Sequence, residues 1–74
     1  MYNFHIEYSN RKAFDMENVV KVEYCDYGGD VVVTGEELLT HQYPLGFTLR
    51  LYSDSRSYTT DGESIVGIEV VKAD

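Results

Sequence analysis

Residues Phe47 to Lys72, FTLRLYSDSRSYTTDGESIVGIEVVK, decide the fold. Apolar side chains fall on every second position in Phe47-Thr48-Leu49-Arg50-Leu51-Tyr52, the spacing that puts Phe47, Leu49 and Leu51 on one face of a strand. A two-residue loop at Asp54-Ser55 then sets Leu51 opposite Tyr58 and Leu49 opposite Thr60. The other face of this hairpin carries Thr48, Arg50, Tyr52, Ser57 and Thr59. Asp61-Gly62 reads as a second turn, with glycine supplying a positive φ. Ser64 to Lys72 returns with Val66, Ile68 and Val70 on the core side, which completes a three-strand meander.

The N-terminal third repeats the pattern. Tyr2, Phe4, Ile6 and Tyr8 alternate with Asn3, His5 and Glu7, a strand signal. A loop of Asn10, Arg11 and Lys12 pairs Tyr8 with Phe14 and Ile6 with Met16, keeping the apolar sets on one face. Glu17-Asn18 is expected to turn the chain into a strand from Val19 to Cys25, with Val20, Val22 and Tyr24 inward. Phe4 to Tyr8 matches Phe47 to Leu51, Phe14 matches Tyr58, and Val20 to Tyr24 matches Val66 to Val70, so the two thirds read as two meanders of one design.

Between them, Gly28-Gly29 suits a hairpin turn that sets Tyr24 opposite Val33. The valines at 31 to 33 predict a strand covered on both faces inside a sheet. Thr34-Gly35-Glu36-Glu37 matches a capping box, with Val33 and Leu38 as its hydrophobic staple. Pro44 ends this short helix near 35–41. The expected fold is therefore mainly β, a β-rich α+β arrangement spanning 1–74 as one compact domain. Six to seven short antiparallel strands form a small sandwich or partly closed barrel, with the helix packed on the sheet.

At 74 residues the core is small, so a partner subunit would add stability. Cys25 is the single cysteine, which excludes an intrachain disulfide, and no Cys/His spacing resembles a zinc site. The N-terminus lacks the basic and apolar regions of a signal peptide, and no apolar run is long enough for a membrane span. A soluble, cytoplasmic protein is expected. Thirteen Asp and Glu against six Lys and Arg give a net charge of −7, which argues against direct binding to nucleic acid.

No phosphate loop, metal helix or nucleophile elbow is present. Cys25 with His5 or His41 is the only conceivable nucleophile and base, and an inert thiol is the simpler reading. Carboxylates at Asp26, Asp30, Glu36 and Glu37, and at Asp54, Asp61 and Glu63, lack the spacing of a cation loop. No metal, cofactor or catalytic residue is expected. The seven tyrosines are more informative. Tyr8, Tyr24 and Tyr58 fall on core faces; Tyr27, Tyr43 and Tyr52 do not, and with Arg50 and His5 they are the expected binding residues. The expected function is a non-catalytic interaction or accessory domain for another protein. The alternatives are a structural homo-oligomer, such as a homodimer paired through sheet edges, and an acidic mimic of nucleic acid. Carboxylates scattered among turns and interrupted by cations weigh against the mimic.

Overall fold

The computed structural model describes residues 1–73. Two open antiparallel sheets pack face to face, as the sequence pattern predicts for a small sandwich. The strands are β1 (Tyr2–Tyr8), β2 (Ala13–Val19), β3 (Lys21–Asp26), β4 (Gly29–Thr34), β5 (Arg50–Tyr52), β6 (Ser57–Thr59) and β7 (Ile65–Lys72). One helical turn, α1 (Glu37–Thr40), lies between β4 and β5. Sheet A has the order β2-β1-β7, and sheet B the order β4-β3-β5-β6.

Each third of the chain does form a hairpin, but its third strand crosses to the other sheet. β3 leaves β2 and pairs with β5; β7 leaves β6 and pairs with β1. The expected meanders are thus exchanged: the two hairpins and two third strands are present, each third strand completing the opposite sheet. The repeat survives with one slip. Ile6 lies between Phe14 and Ile68, and Leu51 between Tyr58 and Val22, so Leu51 rather than Leu49 is the counterpart of Ile6.

Two β-bulges make this exchange compatible with a single core. In β2, one residue of β1 separates the pairs Phe4↔Met16 and Tyr2↔Val19, while two residues of β2 do. Asn18 sits there with φ 58°, a left-handed conformation that asparagine tolerates. In β7, Glu7 faces Gly67 and Tyr8 faces Ile65, which leaves Val66 unpaired. Each bulge shifts the alternation by one. Val19 and Ile65 are therefore buried, and Val20 and Val66, expected in the core, are exposed.

The β5–β6 hairpin has the predicted register: Leu51 faces Tyr58, and Ser53 N–H donates to the Arg56 carbonyl across the two-residue loop. The Thr60 N–H donates to the Leu49 carbonyl, and the Leu49 N–H donates to Thr60 Oγ1, both at 2.9 Å. β5 itself starts only at Arg50. The other two hairpins are displaced by two in summed register. Ile6 faces Phe14 around a loop of Ser9, Asn10 and Arg11, and Tyr24 faces Val31 around Tyr27-Gly28. A displacement by two keeps every side chain on its predicted face.

Three further expectations are corrected. β4 is an edge strand of a sheet whose outer face is uncovered, so Val33 is buried while Val32 is exposed. The capping box does not form: Glu36 is the N-cap in αR geometry without a side-chain bond, because Thr34 still belongs to β4 and Gly35, at φ 63°, makes the corner. Gly62 does not adopt a positive φ. It is buried against the Phe47 carbonyl and the Thr48 amide, where a Cβ has no room, and it starts a 3₁₀ turn (Gly62–Ser64).

Phe4, Ile6, Met16, Val19, Val22, Val33, Leu38, Leu49 and Leu51 fill the space between the sheets. The sandwich has two open sides. Along one, α1 and the segment after it pack against β4 and β7, with Leu38 buried. Along the other, Phe14 of β2 and Tyr58 of β6 stack at 3.7 Å and 13°.

Candidate functional site

Alternation in sheet B puts one row of side chains on its outer face. Lys21 of β3 lies opposite Tyr52 of β5, and Glu23 lies between Arg50 and Val32 of β4. The Lys21 ammonium sits 4.5 Å from the centre of the Tyr52 ring, a cation–π contact, and 3.8 Å from Glu23. A shallow depression of about 430 Å³ runs across this face, lined among others by Cys25, Val32, Thr48 and Arg50. At the end of β3 opposite Lys21 the β3–β4 loop presents Tyr27, which is fully exposed and meets the Phe47 ring edge-on at 5.6 Å. Five residue steps of strand separate the two ends, roughly 17 Å.

Of the expected binding residues, sheet B brings Arg50 and Tyr52 together and holds Tyr27 at the far end of the same sheet. Two others lie elsewhere. Tyr43 is half-buried beneath α1, where its hydroxyl donates to the Leu38 carbonyl at 2.8 Å and its ring meets Phe4 and His41 edge-on. Burial pushes its pKa well above the usual tyrosine value. Its role is to close the sandwich, and helical spacing could not show this, since it follows the helix.

His5 lies on the outer face of sheet A, away from the tyrosines. Asp15 and Glu69 stand directly opposite it on the neighbouring strands. Its Nδ1 is 2.5 Å from Asp15 and its Nε2 3.2 Å from Glu7. The Asp15 carboxylate first, then Glu7, raises the imidazole pKa above 6.5. Glu7, Asp15 and Glu69 thus share one face of one sheet. The linear reading missed this because the three come from three strands, and only pairing sets them side by side.

Cys25 is exposed beside Asp30. The Asp30 carboxylate, above all, pushes the thiol pKa up. His41 shares a 2.7 Å hydrogen bond with the inward Tyr24, so adjacent residues of β3 hold the thiol and the imidazole on opposite faces. Among the described residues no cluster of His, Cys, Asp or Glu has the geometry of a metal site, and no helix is long and apolar enough to cross a membrane.

A further aromatic group lies where the sequence pattern places core. Tyr8, Phe14 and Tyr58 are half-buried around a cleft of about 340 Å³ at the open side between β2 and β6. The Tyr8 and Tyr58 hydroxyls are 2.7 Å apart, and burial with this bond pushes the Tyr8 pKa up to about 12. Arg56 lies 5.6 Å from the Phe14 ring centre. Alternation correctly turns these rings inward, yet it cannot tell that the edges of two sheets meet there without cover.

None of the protein families, curated proteins or solved structures compared with the chain matches it.

Proposed function

We propose that this chain is a non-catalytic interaction domain that binds another protein through the outer face of sheet B. The observation that carries the reading is the grouping of Arg50 and Tyr52 with Lys21 and the exposed Val32 on three neighbouring strands of one sheet. Tyrosine supplies large contact area at little rotamer loss and arginine a planar group with several donors, and both are enriched in binding hot spots. A sheet face also holds them in place before the partner arrives. The test is a crosslinking capture from the source cell, followed by affinity measurement on the captured protein. The double variant Arg50→Ala/Tyr52→Ala is expected to weaken binding by about tenfold or more while His5→Gln leaves it unchanged. Equal affinity of the double variant and the parent overturns the reading.

A second reading has one observation in its favour. Glu7, Asp15 and Glu69 form an ordered acidic row on sheet A rather than a scatter among turns, and an acidic mimic of nucleic acid requires such order. Its mark is a partner affinity that collapses with ionic strength and is insensitive to Tyr52→Ala.

A further inference from the structure

We infer that the free edge of β7 is a docking site for an extended partner segment alternating apolar and basic residues, which joins sheet A as a fourth strand. β7 is outermost in sheet A and, with eight residues, the longest strand. Ala73 N–H donates to the Met1 carbonyl at 2.7 Å. In an antiparallel ladder the bonded pairs alternate, so with Tyr2 opposite Lys72 the main chain of Gly67, Glu69 and Val71 turns toward β1. That of Ile68, Val70 and Lys72 turns outward. Among the described residues, no hydrogen bond outside the sheet ladder engages those outward groups.

The other edges of the two sheets are blunted in ways that discourage added strands. β6 has three residues, β2 is bulged at Asn18, and β4 leads through Gly35 and Glu36 into α1, whereas β7, past its own bulge at Val66, runs unbroken from Gly67 to Lys72. Beside β7, in contrast, lies a groove of about 380 Å³ whose apolar members are Leu39, Tyr43, Leu45, Ile68 and Val70 and whose polar ones are His41 and Gln42. Leu39 is 43% exposed and Leu45 52%. Main-chain groups awaiting partners next to a groove with apolar walls and a polar corner are the two halves of strand-addition recognition: the backbone supplies affinity, and pockets for alternate side chains supply specificity.

Charge selects the occupant. Side chains of an added strand alternate between the groove and the outer face of sheet A. On that face they stand in line with Glu69, with His5 and then Asp15 in the same row and Glu7 beside His5 on β1, so three carboxylates against one imidazole favour basic residues at the outward positions. A second copy of this chain fits poorly. It carries the same net charge of −7, and its own β7 would bring another Glu69 to the same face. The inference stands apart from the sheet B reading, because no residue of that face takes part.

The experiment titrates the full chain with a short synthetic peptide of alternating lysine and valine and follows amide exchange by NMR. Binding is expected to slow exchange at Ile68, Val70 and Lys72, and to be lost when glutamate replaces lysine in the peptide. Val70→Pro removes one outward N–H and leaves the β1 ladder intact; it is expected to weaken binding about tenfold, with His5 and Glu7, whose amides bond to β7, still protected. Methylating the peptide's main-chain nitrogens tests the same bonds without altering the protein, and is expected to abolish binding. Undiminished binding of the methylated peptide, or binding that leaves the three amides unchanged, overturns the inference. So does protection of those amides that grows with protein concentration in the absence of peptide, since a second copy then holds the edge. Tyr52→Ala is expected to leave peptide binding intact, so failure here and failure of the sheet B reading are distinguishable.

Discussion

His5 is flanked by carboxylates on both neighbouring strands and bonded to Asp15 and Glu7. Its pKa in the folded chain lies above 6.5, so its protonated form stabilises the fold. That contribution is fully present below the unfolded value and is lost as pH rises through the folded one. Asp15→Asn is expected to lower the His5 pKa toward 6.5, measured by NMR titration of the ring protons, and to remove this part of the pH dependence of melting. Gly62 works by a different constraint. Any Cβ there collides with the Phe47 main chain, and a main-chain obstacle yields less readily than a side chain. Gly62→Ala is expected to cost about 2–4 kcal/mol, read from denaturant unfolding. The glycine's place after Asp61 suggested only a turn; the need for hydrogen at Cα arises from a residue fifteen positions earlier, which local sequence cannot display.

At the level of elements, the open side between β2 and β6 is held by the Phe14–Tyr58 stack, aided by the Tyr8–Tyr58 hydroxyl bond. Since the two rings belong to different sheets, their contact couples sheet to sheet rather than strand to strand. A double-mutant cycle with Phe14→Leu and Tyr58→Leu is expected to give a coupling of about 0.5–1.5 kcal/mol. Additive effects within error would show that the rings only fill volume. The β5–β6 hairpin was readable in register as well as position, because a two-residue loop at Asp54-Ser55 by itself sets Leu51 opposite Tyr58 and Leu49 opposite Thr60. The Asn10 and Gly28 turns were readable in position and not in register. A slip by two leaves faces unchanged, so burial does not choose between the alternatives.

For the molecule as a whole, exchange of β3 and β7 between the sheets ties the two thirds to each other. Neither sheet is completed by its own hairpin and the strand that follows it. Amide exchange at Ile6 in sheet A and Leu51 in sheet B is accordingly expected to follow a single global opening, with equal denaturant dependence. Different slopes would mean that the sheets open separately. The sequence by itself determined which segments are strands, the single short helix, most of the core and the outward display of Arg50 and Tyr52, because each follows from side-chain alternation within one strand. It could not determine which strands become neighbours. Apolar faces are alike to one another, so Val22 would pack as well beside its own hairpin as beside Leu51. Tertiary structure alone decided that exchange, the two bulges that turn Val20 and Val66 outward, the burial of Tyr43 and the gathering of Glu7, Asp15 and Glu69 around His5. Each depends on register between strands distant in the chain, which is set by closing one common core rather than by any local preference.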